Sequence, residues 1–371
     1  MIFIIAFTLI HICAQQPQNI KHTVVATEKG QFHGWPANNG VWVWGNEILV
    51  GFTQVEYEET ESHNIKENAE QKSLLAKSTD GGNTWTYFNP DNFVGDTNDK
   101  STLKEPLNFT DDGFVMRVEG IAYHGSDDPE AGFFYSYDRG ETWNGPFYFG
   151  DIHTAERFKE RILTPRTDYI VLEECLVFIS SRIEDAGMSD DVSVIKTNDG
   201  GLTWKILAPW VVPCTDPYRA VMSNSVQVDN DEFVTAIRRR AINDRDNCWI
   251  DCYCSNDGGK TWEFLSKVGD AGAHNGNPPA MTRLDDGRLC AIYGNRTTRQ
   301  IVGKYSSDIG KTWSNEFVLR GDFYTGEAGD NMQDLGYPRI VQNADGELVA
   351  IYYWALRKNP QQYIAASIWT P

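Results

Sequence analysis

One pattern, S/T-x-D-x-G-x-T-W, occurs five times in this chain and constrains its fold more than any other feature. The copies are STDGGNTW at Ser78–Trp85, SYDRGETW at Ser136–Trp143, TNDGGLTW at Thr197–Trp204, SNDGGKTW at Ser255–Trp262 and SSDIGKTW at Ser306–Trp313. Their aspartates are Asp80, Asp138, Asp199, Asp257 and Asp308, spaced 58, 61, 58 and 51 residues apart. A period of this size marks repeated supersecondary units. Each copy reads as a tight turn between two strands. The carboxylate accepts backbone N–H groups within the turn, the fifth-position Gly takes positive φ, and the Trp packs where the next strand begins.

The residues between the turns repeat as well. The fifth unit reads PAMTRL, DDGR, LCAIYG, a short loop, IVGKYSS, the turn DIGKT, and WSNEFVL. Alternating apolar runs with turn residues at this spacing predict antiparallel strands. Four-stranded units of about 50 residues are propeller blades. Six blades are expected, near residues 32–95, 103–150, 160–210, 218–268, 276–320 and 335–371. The sixth ends after three strands and has no copy of the motif. Ile20–Thr27, IKHTVVAT, is predicted to supply its fourth strand and close the ring, which removes the open sheet edges of a linear array. The chain is therefore read as all-β, a single six-bladed propeller over residues 15–371.

Composition agrees with this and excludes some functions. Aromatics at 12% and 32 glycines suit many short strands and turns. A net charge of −19 argues against nucleic acid and anionic membrane surfaces as partners. Residues 1–14 are a short apolar run ending Ile12-Cys13-Ala14. It is too short to span a bilayer and reads as a signal peptide cleaved after Ala14, giving a periplasmic or secreted protein. A lipid anchor at Cys13 is the alternative. No other stretch reads as transmembrane. The mature cysteines Cys175, Cys214, Cys248, Cys252, Cys254 and Cys290 are read as buried free thiols, because Cys248, Cys252 and Cys254 share one strand and are poorly placed to bridge. No metal or nucleotide motif is present, so no cofactor is expected. The protein is expected to be a monomer.

Propeller geometry predicts where a site would form. The motif turns join the third and outermost strands. The start of each innermost strand and the end of each second strand lie on the opposite face, around the channel mouth. Those positions hold His33, Trp35 and the Glu56–Glu59 loop in blade one, and Arg117 and Glu119 in blade two. Blade three has Arg166, Arg182 and Glu184, and blade four has Ser223, Asn224 and Arg238–Arg240. Blade five has Asn277, Asn295 and Arg296 with His274 nearby, and blade six has Asp334, Tyr337, Arg339 and Trp354. An acidic chain thus gathers arginines at one mouth, where planar guanidinium groups bind carboxylate or sulfate. The predicted binding residues are Arg117, Arg166, Arg238, Arg296, Arg339, Trp35 and Asn277. Tyr337 is the candidate nucleophile, with Glu119, Glu184 or Asp334 as acid/base.

The five motif turns and the six-blade pattern resemble the sialidase (neuraminidase) superfamily, also called BNR-repeat proteins, over nearly the whole mature chain. The resemblance implies an arginine triad for a substrate carboxylate, a Tyr nucleophile assisted by Glu, and an Asp acid/base. VQVDNDEFVTAIR would then end in the second triad arginine at Arg238. YGNRTTR would supply the third at Arg296, with Arg299 as fallback, and Tyr337 would be the nucleophile. The first triad arginine would lie near Phe32-His33-Gly34-Trp35-Pro36, which contains none. The assisting Glu would fall near Met222 and Ser223, and the Asp has no clear match. Three readings follow. One is an exported glycoside hydrolase acting on an acidic or sulfated sugar. The others are a non-catalytic glycan- or protein-binding propeller, and a uronate lyase using Tyr337 with His274 or His33.

Overall fold

The structure, a computed structural model, describes residues 16–60, 63–93, 99–120, 130–183, 190–324, 326 and 334–371. Six antiparallel sheets follow one another along the chain. The last contains Gly336–Gln342, Leu348–Leu356 and Asn359–Thr370 from the C-terminal end, and Gln18–Ala26 from the N-terminal end. Gln18–Ala26 pairs antiparallel with Asn359–Thr370, so His22 lies opposite Ser367 and Val24 opposite Ala365. The predicted closing strand is therefore in place, and the fold is a six-bladed β-propeller.

Two blades have their innermost strand in two pieces, Gln31–Gly34 with Val41–Trp44 and Ile162–Leu163 with Tyr169–Val171. Blade two departs from the four-stranded expectation. Among the described residues its sheet has three strands, Val115–Glu119, Gly132–Ser136 and Asn144–Tyr148. The segment expected to form its innermost strand runs elsewhere, since Ser101 bridges to Phe147 and the Leu107 amide bonds the Gly200 carbonyl. The proposed signal segment, residues 1–14, lies outside the described residues. No helix among the described residues is long and apolar enough to cross a membrane. The six cysteines among the described residues are unbridged. Five are buried as expected, and Cys214 is exposed.

Each motif turn closes on itself in the same way. The Asp80 carboxylate accepts the Thr84 amide at 2.8 Å and the Thr84 hydroxyl at 2.6 Å, while Ser78 Oγ accepts the Gly82 amide at 2.9 Å. The same bonds recur around Asp138, Asp199, Asp257 and Asp308. These donors hold all five carboxyls below their ordinary range despite the opposing effect of burial.

The tryptophans show what the turns are for. Among the described residues, six large apolar clusters make the bulk of the core, and each is shared by two neighbouring blades. Each motif Trp joins the cluster formed with the preceding blade. Trp143 meets Trp42 and Phe93 of blade one, Trp204 meets Phe133 and Phe149 of blade two, and Trp262 meets Phe178 of blade three. Blade six has no motif, and Trp369 fills the corresponding interface. Its indole N–H donates to Tyr305 Oη of blade five at 2.8 Å and its ring faces Phe317.

Burial of these clasps sets their value. Trp204 is 4% exposed, and removing a buried Trp side chain costs about 3–5 kcal/mol. Trp204→Ala should lower the unfolding free energy by that amount, seen as a lower urea midpoint at unchanged m-value. Trp85→Ala, at a part-buried position, should cost less. Equal, negligible losses would contradict the clasp assignment.

Candidate active site

Three innermost strands carry a bulky residue with positive φ where they approach the channel. These are Trp35 (φ 59°), Met222 (φ 58°) and Tyr337 (φ 47°). Large side chains rarely adopt this region, and such strain clusters at functional sites. The pairing register shifts at Val221/Ser223 and at Gly336/Arg339. In blade one, the one-turn helix Pro36–Asn39 follows Trp35 directly. These irregularities turn side chains off the sheet toward the axis. Ala37, Val221 and Met222 form a small cluster there, with Tyr337 packed against it.

Tyr337 is fixed from below by Asn277, whose Oδ1 accepts the Tyr337 amide at 2.7 Å. Gly336 (φ 98°) makes room for this. A Cβ there would come within 2.3 Å of Asn277 Oδ1. The phenol is held between cations. Arg238 Nη1 donates to Tyr337 Oη at 3.4 Å, and the Arg296 guanidinium lies 5.9 Å from the ring centre. Arg296 also donates to Tyr353 Oη at 3.5 Å and sits 3.8 Å from Asp334. Burial alone would raise the phenol's pKa. The fields of Arg238, Arg296 and His63 outweigh it and bring the phenol down to about 7.

Asp334 has no exposed side-chain area. Its Oδ1 accepts from His63 Nδ1 at 2.8 Å and from Tyr353 Oη at 2.5 Å. Burial would raise its pKa, but His63 and Arg296 hold the carboxyl below its ordinary range. Burial would likewise lower the imidazole's pKa, and Asp334 reverses this and raises it. A pocket of about 250 Å³ opens over the group, lined by Trp35, Asn38, His63, Ile65, Gln71, Arg166 and Tyr337.

The sequence-based candidates separate by position. Trp35, Arg166 and Tyr337 line the pocket, with Arg238, Arg296 and Asn277 packed around Tyr337 and Asp334 behind His63. Arg166 is braced by Asn38 Oδ1 at 2.7 Å and by the carbonyls of Thr164 and Pro165, both at 2.9 Å. Arg339 lies deeper. It crosses the channel to donate to the backbone carbonyls of Ala37 in blade one and Thr167 in blade three, so its guanidinium ties blades together. Arg117 stacks on Phe93, 4.8 Å from the ring centre, and Glu119 is buried beside it in blade two; neither lines the pocket. Glu184 lies outside the described residues.

His33 is buried, with its pKa lowered by burial to about 4, and its Nε2 meets Gln54 at 3.1 Å. His274 does not line the pocket either. The residue missed in sequence is His63. It belongs to the polar stretch between the second and third strands of blade one, read above only for its glutamates. A second pocket of about 210 Å³ between blades three and four differs in kind. Its charges pair internally, Arg161 with Asp191 and Asp190 with Arg219.

Six sheets in a closed ring, with a charged pocket at one channel mouth, define a six-bladed β-propeller. The profile described as BNR repeat-like domain matches residues 118–350. The chain belongs to that family. Solved structures with the same fold include a protein of unknown function from Dyadobacter fermentans (20% identity, TM-score 0.68, covering 95% of this chain and 99% of that one). An α-L-arabinanase of Penicillium chrysogenum complexed with arabinobiose matches at 14% identity and TM-score 0.58, covering 94% and 98%. The NanB sialidase of Streptococcus pneumoniae matches at 11% and 0.52, covering 90% and 68%. At these identities the likeness is one of fold. No curated protein matches the sequence.

The geometry makes one spectroscopic demand. A difference titration of wild type against Tyr337→Phe should show a single tyrosinate with its midpoint about 7. Arg238→Ala should move that midpoint upward, because the nearest cation is gone. A tyrosine titrating at its ordinary alkaline value in wild type would contradict the assignment.

Proposed function

We propose that the protein is a glycoside hydrolase that removes an acidic sugar, carboxylated or sulfated, from a glycan, with Tyr337 as nucleophile. One observation carries the reading. Tyr337 is a pocket-lining phenol held between two buried guanidiniums that bring it into the neutral range. A group that is half ionised near neutrality can attack without a strong base beside it. The local charge favours an anionic substrate. Two guanidiniums and an imidazolium face one carboxylate around Tyr337, and Arg166 adds a further cation at the pocket wall. The arabinanase and sialidase neighbours support glycan chemistry in general and do not name the sugar.

In this reading the sugar ring sits in the pocket against Trp35 and Ile65, with its acidic group toward Arg166 and the guanidiniums beneath Tyr337. The Tyr337 oxygen attacks the anomeric carbon while the bond to the leaving oxygen breaks. Water then attacks from the face the leaving group has vacated, opposite Tyr337, and two inversions retain the configuration. Elimination from a uronate is the second reading. It is favoured by Tyr337 and His63 lining one pocket beside arginines that could neutralise the uronate.

A release assay on sialosides, uronate glycans and sulfated polysaccharides tests both. Hydrolysis gives a new reducing end without the short-wavelength ultraviolet absorbance of an unsaturated uronate, and elimination gives both. Tyr337→Phe should lower turnover by at least about a thousandfold with little change in binding. Arg166→Met should chiefly raise KM, by about tenfold or more, as expected for a lost charge-assisted contact. Binding without release in wild type would leave a glycan-binding propeller.

A further inference from the structure

The resemblance supplies an aspartate to move the leaving-group proton, and none of the described pocket-lining residues is an Asp or Glu. Besides Tyr337, His63 is the one lining side chain there that can both give and take a proton near neutrality. Its geometry suits the task. Nδ1 donates to the fully buried Asp334 at 2.8 Å, which fixes the tautomer and leaves Nε2 as the second protonation site. Asp334 is itself oriented by Tyr353 Oη at 2.5 Å and Arg296 at 3.8 Å. Trp35 meets the imidazole edge-on at 5.0 Å and limits its rotation. The side chain is 36% exposed, so it reaches solvent as well as the pocket.

We propose that His63, oriented by Asp334, is the general acid and base of this site; the assignment rests on Tyr337 being the nucleophile. In the first step the C–O bond to the leaving group breaks as Tyr337 Oη bonds the anomeric carbon, and the imidazolium Nε2–H passes its proton to the departing oxygen. In the second step neutral Nε2 takes a proton from water, the hydroxide oxygen bonds the anomeric carbon, and the Tyr337 oxygen leaves with the electron pair of its bond. His63 ends protonated and Tyr337 ionised, as they began. Asp334 touches no substrate in this scheme. It is a positioning residue, which its burial requires.

A histidine that only anchors its loop would affect all substrates alike, whereas a proton donor matters only to leaving groups that need protonation. The test uses methyl and dinitrophenyl glycosides of sialic acid and glucuronic acid with the mature protein. His63→Gln should lower kcat on the methyl glycoside by about 10²–10⁴-fold and hardly affect bond cleavage with the dinitrophenyl leaving group. Equal losses on both would overturn the proposal. Should His63→Gln fail to fold, wild type treated with diethyl pyrocarbonate provides the second reading. Modification mapped to His63 should abolish turnover of the methyl glycoside and spare cleavage of the dinitrophenyl one. Unchanged methyl-glycoside turnover after that modification would overturn the proposal. Tyr337→Phe separates the two levels. It should abolish cleavage of both glycosides, and surviving dinitrophenyl turnover in Tyr337→Phe would reject the nucleophile itself, whatever His63 does.

Discussion

Ring closure governs everything else in this protein. Once Gln18–Ala26 pairs with Asn359–Thr370, no sheet is left to drift and the six sheets must converge on one axis. Most buried apolar side chains then serve the interfaces between successive blades, and each of the six large clusters is one such interface. The motif turns are clasps within that scheme. Their hydrogen-bonded aspartates shape the turn, and their tryptophans reach back to the preceding blade. Trp369 does the same for the blade that lacks a motif. Arg339 completes the closure from inside by bonding carbonyls of two other blades across the channel.

Closure also explains why chemistry is found at one mouth. The starts of innermost strands and ends of second strands meet there, so residues as distant in sequence as His63, Arg238, Arg296 and Tyr337 become neighbours. The sheets bend to achieve it. Bulges and left-handed residues at Trp35, Met222 and Tyr337 give up regular pairing to place side chains over the channel. A buried phenol would ordinarily resist ionisation. Here the sum of three cationic neighbours exceeds the desolvation cost, so the same burial that excludes water yields a reactive group.

Much of this was legible in the sequence, and the limits have physical causes. The motif spacing gave the blade count because each turn is a local structure with its own bonds. Counting strand starts and ends brought Trp35, Arg166, Arg238, Arg296, Asp334 and Tyr337 to the mouth, since propeller register is nearly periodic. That same counting could not give depth. Arg339 is two residues from Tyr337, yet the register shift between Gly336 and Arg339 sends it into the channel. Arg117 was placed correctly on its strand, but its stacking on Phe93 depends on a side-chain packing that no period encodes. Blade two lost its expected innermost strand because the chain around Ser101–Leu107 bonds elsewhere. His63 lies in a loop with no pattern, and only its contact with Asp334 marks it.

If Tyr337 is the nucleophile, turnover passes through a covalent bond to its oxygen. A fluorinated glycoside of the released acidic sugar, chosen so that the second step is slow, would trap the intermediate. After proteolysis, mass spectrometry should find one added sugar on the peptide containing Tyr337, and it should be absent from Tyr337→Phe. Sugar attached to a carboxylate instead, or turnover-dependent inactivation that leaves Tyr337 unmodified, would contradict the account.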